Sequence, residues 1–308
     1  MERLDGGSAV PSRFRGAVVA LGNFDGFHLG HQAVAGRAIA RARAEGRPAI
    51  VATFDPHPMR LFNPDAAPFR LTSLDQRQRL FAAAGADAML VFPFDRTLAS
   101  LTAEAFAAER LVATIGAAAV VTGDDFTFGK GRSGNVEALG SLGARFGFAV
   151  ETVAPVSHHG EPVSSSRIRA LLQAARPRDA AELLTRPFAI EGTVERGAQL
   201  GRELGWPTAN LRLGKYLRPS YGIYAVRGRL PDGRVLDGVA SLGIRPSFEP
   251  PVELLEPHFF DFSGDLYGHM IEVALIEFLR PEAKFDSLED LQRQIGADAE
   301  RARAILAG

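Results

Sequence analysis

Two kinds of patterning share this 308-residue chain, and where one replaces the other constrains the fold more than anything else in it. In the first half, short apolar runs alternate with helical patterns. Ala17 to Leu21 is apolar, then come a glycine-rich turn and an alanine-rich helix from about His31 to Ala44. Ala49 to Phe54 is a second run, Leu74 to Ala84 a helical pattern, and Ala88 to Phe92 a third run. A helix fits Ala103 to Ala113, and strands fit Ala117 to Thr122 and Phe148 to Val153. Strands alternating with helices imply an α/β fold, a doubly wound parallel sheet with helices on both faces. Such sheets bind ligands at the carboxyl ends of their strands. The unusual residues cluster there, at Gly22 to His31, Thr53 to Pro58 and Gly123 to Gly134.

After about Ala175 the pattern changes. Ala174 to Pro187 carries two prolines and mixed charge, and reads as a linker with a short helix. From Phe188 onward strands follow turns. In Pro231-Asp232-Gly233, proline presets one turn dihedral and glycine accepts a positive one. That turn joins Ile223–Arg229 to Val235–Ser241, and Ser263-Gly264-Asp265 separates Phe259–Phe262 from Met270–Phe278. Short strands at this spacing imply a sandwich or barrel, closed by a helix over Leu288 to Leu306. A single core stops growing near ~250–300 residues, so two domains are expected, at residues 1–175 and 184–308.

Composition excludes several functions. The chain has no cysteine, hence no disulfide, thiolate metal site or cysteine nucleophile. A formal net charge of -1 gives no general field for nucleic acid. The first residues have no apolar signal core, and no stretch reaches the ~18 apolar residues of a membrane span. The expectation is a cytoplasmic protein with neither nucleic-acid nor membrane partner, a monomer or weak homo-oligomer.

Gly22-Asn23-Phe24-Asp25-Gly26-Phe27-His28-Leu29-Gly30-His31 follows a strand and opens a helix. Glycines let a backbone approach a phosphate, and a helix start offers N–H groups and partial positive charge. His28 and His31 can donate to a triphosphate from the same end. Thr53-Phe54-Asp55-Pro56-His57-Pro58, Gly123 to Gly129 and Ser164-Ser165-Ser166-Arg167-Ile168-Arg169 follow in order. The first segment resembles the HxGH signature of the nucleotidyltransferases. All four together resemble the adenylyltransferase half of the bacterial FAD synthetases. That resemblance implies that His28, His31 and Arg169 serve adenylyl transfer. It assigns Gly22, Asn23, Phe24, Asp25, Gly26, His57, Phe62, Asp125, Phe128, Ser164, Ser165 and Ser166 to nucleotide or flavin binding. An FMN phosphate is already an anion, so the site needs only to align two polyanions and stabilise departing pyrophosphate. By residue type alone His57 is equally a structural histidine, Phe62, Phe126 and Phe128 are more often simply core, and Gly129 to Gly134 is equally a solvated loop.

In the second half, Gly201 to Leu211 reads Gly-Arg-Glu-Leu-Gly-Trp-Pro-Thr-Ala-Asn-Leu, without the glycine–lysine pair of a Walker loop. In an extended segment Thr208 and Asn210 point the same way, and their neutral oxygens suit Mg²⁺ or cap a strand. The run resembles the PTAN motif of riboflavin kinases. Tyr221 to Val226, the glycine loop Gly238 to Phe248, and Glu256, His258 and Asp261 to Gly268 continue that family's pattern. The resemblance implies a small antiparallel β-barrel, nucleotide contact at Gly201, Thr208 and Asn210, Mg²⁺ at Thr208 and Asn210, and Glu256 as general base. Ile244 and Ser247 stand where the family has threonines, Trp206 where it has Phe or Tyr, and Pro257 directly follows Glu256.

The expected activity is therefore that of a bifunctional riboflavin kinase/FMN adenylyltransferase. Its small-molecule partners are riboflavin, FMN and ATP, with Mg²⁺ as cofactor, ATP as co-substrate, and FMN and FAD as product ligands. The competing readings are a single-function adenylyltransferase with an appended binding barrel, and a flavin sensor on an inactive scaffold.

Overall fold

The computed structural model describes residues 1–196, 205–245 and 251–308. The chain forms two compact units, Met1–Ala67 with Leu74–Ser164, and Pro68–Ser73 with Ser165–Gly308.

The first unit is built on a six-stranded, all-parallel sheet. Its strands are β1 (Glu2–Asp5), β2 (Val18–Leu21), β3 (Ala49–Asp55), β4 (Ala88–Pro93), β5 (Ala119–Gly123) and β6 (Ala149–Val153), in the order β1-β4-β3-β2-β5-β6. The central strands read as unbroken apolar runs because helices cover both faces. Val18 and Ala20 pack toward α1 (Leu29–Ala44), while Val19 and Leu21 pack toward the opposite face. Between β3 and β4 run α2 (Pro58–Phe62) and α3 (Leu74–Ala84). α3 shares α1's face through Phe81. Edge strand β1 has one buried residue of four, so no apolar run announced it.

One segment here differs from the sequence expectation. The stretch read as a helix over Ala103 to Ala113 follows α4 (Arg96–Ser100) and begins as α5 (Ala103–Phe106). It then widens into a π-helix over Ala107–Ile115, and Thr114 Oγ1 donates to the carbonyl of Glu109, five residues back, at 2.9 Å. Gly116, at φ 63°, ends it in the left-handed conformation that glycine accepts. α6 (Val136–Phe146) completes that face. A short hairpin, β7 (Ser157–His158) and β8 (Glu161–Pro162), closes the unit.

β2 has β3 on one side and β5 on the other, so successive crossovers leave it in opposite directions. This is the switch point at which open α/β sheets bind ligands, and Gly22 to His28 lies just beyond it.

The second unit is a six-stranded antiparallel sheet of β9 (Phe188–Thr193), β10 (Leu211–Arg212), β11 (Gly222–Arg229), β12 (Val235–Arg245), β13 (Val252–Phe259) and β14 (Met270–Arg280). The order is β10-β13-β12-β11-β14-β9. It curls until Glu195, just past β9, donates its N–H to the carbonyl of Asn210, just before β10, at 2.9 Å. That bridge brings the barrel nearly to closure. The turn at Pro231 to Gly233 forms as expected, with Gly233 at φ 87° and Leu230 donating to Arg234 at 2.9 Å. α9 (Leu288–Leu306) covers one face, setting Ala299, Ala302 and Leu306 against Ala225 and Val239.

α7 (Ser165–Gln173) and α8 (Pro177–Leu184) belong to this second unit. Residues 165–175, expected with the first half, therefore pack with the barrel. Ser220 donates its N–H to the carbonyl of Leu172, and α8 lies against β9 and β14. The segment Pro68–Ser73 joins them, with Arg70 exchanging backbone hydrogen bonds with Lys215 and Leu217 at 3.2 and 2.8 Å.

A fragment of residues 165–308 is accordingly expected to outlast one of residues 184–308. The shorter piece loses Ala180 and Leu183, both essentially fully buried. Burying a leucine side chain is worth roughly 1.5–3 kcal/mol, and 1 kcal/mol shifts the melting temperature of a domain this size by roughly 2–4 °C. Equal melting temperatures in calorimetry would show that α7 and α8 add nothing to the barrel.

Candidate active sites

The loop leaving β2 is strained and anchored. Phe24 and Phe27 have φ of 49° and 44°, in the left-handed region that bulky residues avoid, and Gly26 has 88°. Both rings turn into the core edge-on to Phe81, with centroids at 5.8 and 4.9 Å. Phe24 is thus a core residue that also meets His31 edge-on at 5.3 Å.

His28 is the N-cap of α1, its Nδ1 accepting the His31 N–H in a long bond of 3.4 Å. With Nδ1 accepting, a neutral His28 carries its proton on Nε2. The imidazoles of His28 and His31 stack at 3.6 Å and 19°. Gly30 makes room for this: a Cβ there would lie 3.3 Å from Cε1 and 3.4 Å from Nδ1 of His28. Gly22 gives similar clearance, since a Cβ would sit 3.2 Å from the Phe24 ring.

Arg77, on α3, occupies a polar position of a helix pattern in the sequence and looks solvated there. It is the bulkiest fully buried side chain among the described residues. Its Nη1 donates to the Asn23 carbonyl and to Thr53 Oγ1, each at 3.2 Å. Nη2 lies 3.6 Å from Asp25 Oδ1, and Thr53 Oγ1 donates to Asn23 O at 2.8 Å. Asp25, expected at the nucleotide, is therefore buried toward Arg77. The one sequence signal was spacing: Arg77 and Phe81 are four apart and share a helix face.

Other residues of the first constellation spread more widely. His57 caps α2, its Nδ1 accepting the Met59 N–H at 3.2 Å. Phe62 is 72% exposed, whereas Phe128 is buried and stacks on Phe126 at 5.7 Å. Asp125 is exposed. The Gly129 to Gly134 loop is an ordered turn, with Phe128 and Gly134 exchanging 2.9 Å backbone bonds. Ser164 ends the first unit; Ser165, Ser166 and Arg169 open α7 in the second. There Arg169 Nε donates to the Phe69 carbonyl at 2.8 Å, with its guanidinium 5.3 Å from that ring's centroid.

In the barrel, Ala209 donates its N–H to the Pro257 carbonyl at 2.9 Å, a bond that Pro257 has no N–H to return. This places Thr208 and Asn210 beside β13. Both line a cavity of about 500 Å³ with Arg196, Asp265 and Tyr267. Thr208 also lines a second cavity, of about 270 Å³, with Trp206, Glu256, Arg245 and Asp298. Glu256 pairs there with Arg245, which also donates to Glu282 at 2.8 Å and Ser241 at 2.6 Å. Burial opposes the Arg245 charge, but Glu256 and Glu282 outweigh it and hold the guanidinium above its usual pKa. The wall carrying α9 is fixed by a forked pair, Arg280 to Asp298, at 2.7–3.0 Å. Trp206 stands edge-on to His258, whose Nδ1 is 2.8 Å from the Pro207 carbonyl. Ile244 is 47% exposed. Gly201 and Ser247 lie outside the described residues.

A switch-point site on a parallel sheet, followed by a barrel with two cavities that share Thr208 and a carboxylate in the smaller one, defines a class: two-domain transferases that handle nucleotides in one unit and phosphorylate in the other. The comparisons narrow it. Residues 10–167 match the family model for FAD synthetase, and residues 184–306 match that for riboflavin kinase. Proteins named bifunctional riboflavin kinase/FMN adenylyltransferase are 39% identical in Haemophilus influenzae (94% of either chain) and 41% identical in Pseudomonas fluorescens (95% of this chain, 94% of that one). The Escherichia coli K12 protein of that name is 39% identical over 94% of this chain and 92% of its own. A crystal structure described as a macrolide-efflux protein from Streptococcus pneumoniae superposes with a TM-score of 0.87 at 30% identity, covering 98% of this chain and 99% of its own. The chain belongs to the bifunctional riboflavin kinase/FMN adenylyltransferase family.

Gly30→Ala tests the local geometry. The added methyl displaces the His28 ring by a few tenths of an ångström. A 1 Å misplacement can cost ~10²-fold, so FAD formation from FMN is expected to fall about tenfold while riboflavin phosphorylation persists. Unchanged FAD formation would show that the stacked histidines are not held where the reaction needs them.

Proposed function

We propose that the chain makes flavin cofactors in two ATP-dependent steps: riboflavin and ATP give FMN and ADP, then FMN and ATP give FAD and pyrophosphate. The observation that carries this reading is the shared wall of the two barrel cavities. Thr208 borders both, with Glu256 in one and Asn210 in the other. An acceptor hydroxyl in the smaller cavity and a nucleotide in the larger would meet at Thr208.

In the kinase step, the ribityl hydroxyl attacks the γ-phosphorus, the bond to ADP breaks, and the hydroxyl proton passes to Glu256. Arg245 engages Oε2 of Glu256, which leaves Oε1 as the proton acceptor. The Thr208 hydroxyl and the Asn210 amide oxygen offer neutral oxygen ligands at a cavity wall, and this donor set fits Mg²⁺. Bound there, the ion would neutralise phosphate charge. Ser241 and Glu282 hold Arg245, and Arg245 holds the carboxylate.

In the adenylyl step, an FMN phosphate oxygen attacks the α-phosphorus and pyrophosphate leaves. No proton need be removed, so the residues act as donors. His28 through Nε2–H, His31 and the N–H groups opening α1 face the charge that develops. Asn23, Asp25 and Phe24 shape this loop from within, whereas exposed Phe62 has an open face for a flavin ring. We assign adenylyl chemistry to the unit of the parallel sheet, kinase chemistry to the unit of the barrel, and both to the cytoplasm, where ATP is made.

Incubation with riboflavin, ATP and Mg²⁺, followed by separation of the flavins, tests the whole reading; absence of both FMN and FAD would refute it. Glu256→Gln is expected to slow riboflavin phosphorylation about 10²–10⁴-fold with little change in substrate binding and continued FAD formation from supplied FMN. A folded Glu256→Gln enzyme with normal kinase rate would remove Glu256 as base. His28→Ala with His31→Ala gives the reverse pattern, loss of FAD formation with phosphorylation intact.

A further inference from the structure

We propose that Arg77 is a positioning residue for adenylyl transfer, a buried guanidinium that holds the Gly22–His28 loop in the shape the histidines require. This rests on the adenylyltransferase reading of the first unit. Arginine is almost never fully buried unless it is paired, and burying its charge is costly. Arg77 is 1% exposed and Asp25 2% exposed, and Arg77 Nη2 lies 3.6 Å from Asp25 Oδ1. Arg77 donates hydrogen bonds to the Asn23 carbonyl and Thr53 Oγ1, at the carboxyl ends of β2 and β3. It therefore ties together two strand ends beside the switch point.

The loop needs such a tie. Phe24 and Phe27 hold left-handed backbone that their side chains disfavour. Phe81, one turn beyond Arg77 on α3, receives both rings. One helix face thus provides an apolar seat for the two aromatics and a polar clamp for the backbone and carboxylate beside them. Loop shape passes directly to the site, because His28 is the next residue and Phe24 meets His31 edge-on. The planar fork of arginine reaches two acceptors through Nη1 and faces Asp25 through Nη2; lysine keeps the charge without the fork.

The test uses the full chain with Arg77→Met, Arg77→Lys and the charge-balanced pair Arg77→Met/Asp25→Asn. For each, kcat and KM for FMN-to-FAD conversion are measured beside riboflavin phosphorylation and a thermal melt. Expected is a fall of about 10²-fold in kcat for FAD formation with Arg77→Met, a much smaller change in KM, partial recovery with lysine, and normal phosphorylation. If the methionine variant does not fold, the paired variant and the lysine variant decide. A tenfold or greater loss of FAD formation in either, with phosphorylation intact, supports the role; wild-type FAD rates in both overturn it. A folded Arg77→Met chain making FAD within threefold of wild type also overturns it. A wild-type chain that converts no FMN would refute the adenylyltransferase reading and this proposal together, so the two failures are told apart.

Discussion

β2 is paired on both edges, and its four residues are at most 1% exposed. No position in it can turn a polar side chain to water. Its alternating residues fill two separate cores, one under α1 and α3 and one under α6 and the π-helix. Because the strand cannot shift register without exchanging these two sets, its carboxyl end is fixed. The loop that follows inherits that position. Gly22, the strained phenylalanines and the histidine cap are placed by the burial of four small or branched residues upstream.

The barrel meets a different constraint. An open antiparallel sheet leaves two edges with unpaired backbone groups, and here the edges meet where Glu195 bonds Asn210. Asn210, which lines the larger barrel cavity, is thus also the residue that brings the edges together. Its neighbour Ala209 is tied to Pro257, one residue past Glu256. Glu256 on β13 and the segment Thr208 to Asn210 that leads into β10 are therefore held together by a main-chain hydrogen bond, which sets their spacing. Pro257 lacks an N–H, but its carbonyl makes the bond that matters on this edge.

Charge in the barrel cavity is managed by sharing. Arg245 serves Glu256, Glu282 and Ser241, and Gly243 makes the arrangement possible, since a Cβ there would collide with the Glu282 carboxylate at 2.3 Å. Two carboxylates around one guanidinium leave acceptor capacity at the cavity. A one-to-one pair with both oxygens engaged would not.

Much of this was legible in the chain itself. The alternation of apolar runs and helices specified the parallel sheet, because a strand buried on both faces has no polar positions. The turn at Pro231 to Gly233 specified its hairpin, because only those residues adopt its dihedrals cheaply. The order of motifs specified two chemistries. Arg77 could not be read, because a helix pattern marks which face is polar but not what lies opposite it; its burial exists only once α3 meets the loop after β2. Nor could the ownership of α7, α8 and Pro68–Ser73, since a linker's composition does not say which core its few leucines will join. Sequence determined the elements and the residue types, which depend on neighbours a few positions away. Tertiary structure alone decided which buried charge meets which backbone oxygen, because those distances span 24 to 54 residues of chain.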